Sequence, residues 1–384
     1  MRCNRIFAVL LAFSCTIANL AYANKSHPKY KFPIDTSWLS PLFIDVRVNN
    51  SSPMHFILDS ASTWSMIRRS EAEKLGLKTI RTESATGGGG SFAMNFVRAN
   101  LQIGDLKLEN VELGATDLPP YYVGLLGADL FENYVVAIDY QSGEVSVYDP
   151  EKFQPDPNAI ALDVNLRGRI PCVSASVVFA KEIATGEFRV DTAAGDTITL
   201  NHPFAEKHSF PPPNTSTRQA EGNSFNGNFR LIKARADLIQ LGKFEFKKPI
   251  IQMYTANVGS GAGTVLAGRM GNEILRRFQV TFDCPHKRIF LKPNSWYSER
   301  FEVDMSGIAF GPSYHISSVA KGSSAETAGL KVGDVMEKMN GTPVSNLGLE
   351  RAHHLLMVDG TKCKIEFKRG DKTMQAIVIL KREF

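Results

Sequence analysis

Phe56-Ile57-Leu58-Asp59-Ser60-Ala61-Ser62 is a short apolar run that ends on an acid and then on small residues. Far along the chain, Val190-Asp191-Thr192-Ala193-Ala194 does the same. An isolated Asp at a strand end is ordinarily a turn former or a cap. Two of them in matching surroundings ask for another explanation, and the sequence around them supplies it.

The whole neighbourhood is duplicated. Arg98-Ala99-Asn100-Leu101 parallels Arg235-Ala236-Asp237-Leu238. Gly124-Leu125-Leu126-Gly127-Ala128-Asp129-Leu130-Phe131 parallels Gly268-Arg269-Met270-Gly271-Asn272-Glu273-Ile274-Leu275. Gly127 and Gly271 each stand twelve residues before an acid that closes an apolar strand, Asp139 and Asp283. Four landmarks in one order predict two homologous lobes, residues 24–154 and 155–297, because an internal repeat dictates architecture. Asp149 to Asn158, with Pro150, Pro155 and Pro157, reads as the link between them. Asp139 and Asp283 are assigned no chemistry.

The local patterns are mainly β. Leu42 to Val48 alternates as a strand does, and strands follow through Leu101, Ile103, Leu106, Leu108 and Val111. Glu71 to Leu75 reads as a short helix closed by Gly76. Gly87-Gly88-Gly89-Gly90 is a loop or hairpin tip; it has no following Lys-Ser/Thr and opens no helix, which excludes a phosphate loop. Residues 298–384 differ in character, with strands at Ile316 to Val319 and Val335 to Met339, helical periodicity from Leu347 to Met357, and a closing hairpin around Gly370-Asp371.

If the lobes pack about a pseudo-twofold axis, Asp59 and Asp191 meet there. Two carboxylates so close cannot both ionise, so one serves as general base for a water and the other as an acid toward a carbonyl. On these residues the two lobes resemble pepsin-like and retroviral-type aspartic proteases, in the bacterial two-lobe form with a trailing PDZ domain. The resemblance implies a mainly β fold, with two pseudo-symmetric acid-protease β-barrel lobes and a PDZ-like α+β domain. It implies an aspartic-type endopeptidase with Asp59 and Asp191 as the catalytic pair. Ser60, Ser62 and Thr192 would support the site, with Ser60 and Thr192 cross-linking the lobes beneath it. Gly87 to Gly90 would form the flap, with Gly222 to Gly227 at the matching place in lobe two. Phe92 would pack on substrate or on lobe one.

Both glycines of the family's Asp-Thr/Ser-Gly motif are replaced, by Ala61 and Ala193. An added methyl is expected to crowd the amides that approach the carboxylates. This departure keeps a second reading open, a non-catalytic peptide or protein binder on the same scaffold. The C-terminal segment is similar to bacterial protease-associated PDZ domains through Ser323-Ser324-Ala325-Glu326-Thr327-Ala328-Gly329-Leu330, Gly333-Asp334 and Asn340-Gly341. There, Gly307-Ile308-Ala309-Phe310 stands at the carboxylate-binding loop, with Ala309 replacing a glycine. The resemblance implies an extended or C-terminal peptide added beside that loop. His353-His354 reads as a solvated pair, since neighbours on a helix point different ways.

Composition bounds the alternatives. The 384 residues carry 44 basic and 39 acidic side chains, 43% hydrophobic residues and no low-complexity bias. A net charge of +5, falling to +3 when Arg2 and Arg5 leave with the leader, calls for no nucleic acid. Arg2 and Arg5, an apolar run from Ile6 to Phe13, and Ala21-Tyr22-Ala23 make residues 1–23 a signal peptide cleaved after Ala23, which implies a secreted or periplasmic protein. An uncleaved leader or a lipid on Cys15 would instead anchor the chain to a membrane. After the leader no stretch reaches the roughly 20 apolar residues of a spanning helix. Cys172, Cys284 and Cys363 remain, in no metal-ligand spacing, and whether a pair of them bridges stays open. No metal and no organic cofactor is expected, because water is the nucleophile.

Overall fold

A computed structural model describes residues 26–35, 41–311 and 313–382. The expected signal peptide, with Cys3 and Cys15, lies outside the described residues. The fold is mainly β, with two related lobes joined by a shared sheet and followed by a small α+β domain.

In lobe one, Phe43–Val48 buries Ile44, Val46 and Val48 and exposes Asp45 and Arg47, as the alternation of FIDVRV dictates. It pairs with Met54–Leu58 on one side and with Gly90–Ile103 on the other, which closes a seven-stranded sheet on itself. Met54–Leu58 runs parallel to Gly124–Leu126, so Leu58 and Leu126 lie side by side where the strand opens into Asp59. Lobe two repeats the device: Glu182–Val190 runs parallel to Gly268–Met270, with Val190 beside Met270. In each lobe the acid's own N–H donates to the paired strand, Asp59 N to Leu126 O and Asp191 N to Met270 O, both at 2.9 Å.

The repeated glycines follow from this packing. A Cβ on Gly127 would lie 2.6 Å from Ser62 O, and one on Gly271 would lie 2.7 Å from Ala194 O. The strand-to-helix corner must press against the loop that carries the acid, and only hydrogen fits between them.

A third sheet of six strands is built from both lobes. Tyr30–Pro33, Glu144–Tyr148 and Val135–Asp139 come from lobe one; Phe278–Asp283, Arg288–Pro293 and Ile160–Asp163 come from lobe two. The central pair, Val135–Asp139 with Phe278–Asp283, buries Val136, Ile138, Val280 and Phe282 completely. Asp139 and Asp283 end these strands, Asp139 accepting from Gln141 N and Ser142 N and Asp283 holding His286. The proline-rich link holds a 3-10 turn, Pro150–Lys152, before Ile160 re-enters the sheet.

The C-terminal domain has its own core around Phe310, Ile316, Leu330, Met336 and Phe367. Its long helix runs Val344–Leu355 and is broken at Gly348, φ +73°. The domain is tied to lobe two by Arg235, which donates to Phe301 O at 2.9 Å, and by Arg218, which donates to Asp304 O. Glu302 takes both Arg235 and Arg382. Cys172, Cys284 and Cys363 are buried and free, and burial pushes the Cys284 thiol up to about 12.

Candidate active site

Asp59 and Asp191 face a common cleft of about 750 Å³ between the lobes. Asp191 is buried and Asp59 partly so. Ser60 and Thr192 lock the two loops together by four reciprocal bonds. Ser60 N donates to Thr192 Oγ1 at 3.0 Å, and Thr192 N donates to Ser60 Oγ at 3.1 Å. Each hydroxyl then donates across the axis, Ser60 Oγ to Val190 O and Thr192 Oγ1 to Leu58 O, both at 2.7 Å. All four are buried, so every bond holds its partner against a full desolvation cost. Ser62 has a local role: its hydroxyl donates to Trp64 O at 2.7 Å and shapes the loop after Asp59. Behind Thr192, Asn272 donates to its carbonyl at 2.7 Å and accepts from Tyr140 of lobe one at 2.8 Å.

The expected crowding by the motif alanines does not reach the amides. Ala61 N donates to Asp59 Oδ1 at 2.9 Å and Ala193 N to Asp191 Oδ1 at 3.0 Å. Ala61 and Ala193 both line the cleft. Burial and the charge of Asp191 push the Asp59 carboxyl up to about 7, against an ordinary 3.8. Burial likewise raises Asp191, while Arg269 and Arg189 hold it down. The two groups therefore keep a shared proton well above the usual carboxylate range.

Gly87 to Gly90 is the turn between Thr79–Gly87 and Gly90–Ile103, a hairpin lying over the cleft. Thr217–Ser224 and Gly227–Arg235 form the matching hairpin of lobe two, and the two tips clasp. Asn226 accepts from Gly89 N at 3.0 Å and donates to Gly90 O at 2.6 Å. A Cβ on Gly89 would sit 2.6 Å from Gly227 Cα, so glycine is what lets the tips cross. Phe92 packs edge-on against Phe225 of lobe two, centroids 5.0 Å apart, as well as on the lobe-one cluster.

In the C-terminal domain, Ile308–Phe310 pairs with Ile316–Val319. The Gly307 and Ile308 amides of the loop already have partners: Gly307 N donates to Asp304 Oδ1 at 2.8 Å and Ile308 N to Ser306 Oγ at 3.2 Å. Phe310 is buried and Ala309 exposed. His353 is not a solvated side chain; its ring stacks on Phe310 with centroids 4.1 Å apart, bridging strand and helix. Burial lowers its pKa.

Sequence reasoning missed Arg189 and Arg269, which line the cleft beside Asp191. The repeat alignment carried the signal, since Arg269 takes the place of Leu125. It also missed Asp196, the buried acid that Arg269 and Thr199 contact.

Residues 44–130 match the family model described as aspartyl protease, and residues 300–366 match that of the PDZ domain. No curated protein matches the chain. Among solved structures, the aspartic proteinase from Irpex lacteus is similar over 70% of this chain and 98% of its own, at 14% identity and a TM-score of 0.45. The chain thus carries a protease-type scaffold and a PDZ module.

Proposed function

We propose that this chain is an aspartic-type endopeptidase acting on extended peptides or unfolded protein segments. The observation that carries the reading is the buried Asp59–Asp191 couple, held by mirror-image hydrogen bonds and raised so that one proton is shared between them. The ionised partner takes a proton from a water as that water's oxygen bonds to the scissile carbonyl carbon. The protonated partner donates to the carbonyl oxygen, where negative charge develops. Collapse of the tetrahedral intermediate passes a proton to the leaving nitrogen and frees the two peptide ends. The clasped hairpins would part to admit a chain and close over it, excluding water. In the PDZ module, a bound peptide would have to displace the His353 ring from Phe310. The leader's charge and its A-x-A site support a secreted or periplasmic setting.

Cleavage of a mixed peptide library, followed by mass spectrometry from pH 3 to pH 9, tests the reading. Activity should be highest in acid and fall off above about pH 7, where the couple loses its shared proton. No cleavage at any pH, with peptide still retained, would establish the non-catalytic binder, the reading that the loss of both motif glycines keeps open. The same assay measures what the two methyls do. Because both amides still reach their carboxylates, Ala61→Gly with Ala193→Gly should change kcat/KM by less than about tenfold, well short of the ~100-fold cost of a 1 Å misplacement.

A further inference from the structure

The two walls of the cleft are built to one plan and carry opposite chemistry. In lobe one, Ile57 pairs with Leu125 across parallel strands, and Leu125 pairs with Met66 on its other side. All three are buried and apolar. The same register positions in lobe two hold Arg189, Arg269 and Thr199. Ile57, Leu125, Met66, Arg189 and Arg269 all line the cleft that holds the two acids. One row is therefore greasy and its symmetry mate is cationic, at equivalent places on either side of the axis.

The two arginines are not equally committed. Arg269 is partly exposed, but its Nε donates to Asp196 at 3.3 Å, so its charge is matched within the wall. Arg189 is partly exposed, and among the described residues its side chain has no hydrogen bond or ion pair. Its charge acts on the acid couple, but its planar fork is bonded to no carboxylate, so it favours a ligand that supplies one and can bind it on two points. Lobe one offers no such group at the mirror position, where an apolar side chain gains by burial instead.

We infer that the cleft selects polarised peptides, with an apolar side chain on one side of the scissile bond and a Glu or Asp on the other, the acid taken by Arg189. The inference rests on the peptidase reading for the word scissile, but the recognition itself does not require cleavage. Arg189 is a specificity residue here. Its charge also holds the catalytic acids down, and the two roles separate experimentally: tuning of the acids shifts the pH profile of every substrate alike, whereas recognition changes the ratio between substrates.

The test is to sequence every cut that the full chain makes in peptide mixtures matched as Glu, Gln or Leu at single positions. The wild type should favour Glu over Gln at one position by about ten- to a hundredfold, the range of a desolvated charge-assisted hydrogen bond, with apolar residues enriched across the cut. Arg189→Leu should bring the Glu-to-Gln ratio close to one, and Arg189→Lys should restore part of it. Arg189→Gln serves if the leucine variant does not fold. Equal cutting of Glu and Gln peptides by the wild type, or an acidic preference that survives in the variants, overturns the inference and leaves the peptidase reading standing. If the wild type cuts nothing, the peptidase reading falls and the same mixtures are scored by retention on the immobilised chain. Acidic peptides retained by the wild type and released by Arg189→Leu then uphold the inference, and retention without acidic preference, or none, overturns it.

Discussion

Asp59→Asn should cost about a hundred- to ten-thousandfold in peptide cleavage and make the protein harder to unfold at neutral pH. The loss of rate follows from removing one half of a general acid–base pair, a contribution of roughly 10²–10⁴ by itself. The gain in stability follows from linkage. In the folded chain this carboxyl titrates near 7; in the unfolded chain it titrates near 3.8. The folded state therefore binds the proton more tightly, and between about pH 4 and pH 7 each rise in pH works against folding. Below pH 4 both states are protonated and the variant should melt with the wild type. Above pH 7 the penalty is complete, and an uncharged amide escapes it, by at most roughly 4 kcal/mol or about 5 °C in Tm for a chain of this size. Thermal melts of wild type and variant at pH 4 and pH 8, run beside the cleavage assay, check both halves. A variant that is inactive and also less stable at pH 8 would mean the carboxylate was stabilising, contrary to its buried, repelled position.

Thr192→Val should be the most damaging small change in the molecule. Valine fills the same volume, but its methyl neither accepts from Ser60 N nor donates to Leu58 O. Both groups are buried, and each stranded one costs about 1–3 kcal/mol, together roughly 2–6 kcal/mol. The melting temperature should fall by about 3–8 °C, and peptide cleavage by about a hundredfold if the acid loops drift by 1 Å. Thr192→Ser keeps the hydroxyl and should recover most of both. Ser60→Ala strands Val190 O and Thr192 N in the same way, and its effect should not add to that of Thr192→Val, because the four bonds form one network.

The acids and their supports were legible because duplication writes the candidate site twice. Asp59 alone would have passed for a turn, as Asp139 does. It was Asp191, with the glycines at 127 and 271, that raised it above that level. Secondary structure followed local pattern well: the alternation ending at Val48 and the short helix closed at Gly76 needed no tertiary information. What stayed hidden depends on register between distant strands. Nothing near Arg189 in sequence says that it stands beside Arg269 and inside the cleft; parallel pairing across some eighty residues does that. The clasp of Asn226 on Gly89 spans 137 residues, and the stacking of His353 on Phe310 joins a helix to a strand. The Val344–Leu355 helix was half seen, because Gly348 interrupts the period from which it was read.

The six-stranded sheet sets a timetable for the newborn chain. Val135–Asp139 has Glu144–Tyr148 along one side within the first half, but its other edge is covered only when Phe278–Asp283 has been made, so a ribosome-bound first half presents that edge bare. That edge is the segment most exposed to self-association during synthesis. By the same schedule Asp59 has no Asp191 beside it until the second half of the chain has emerged.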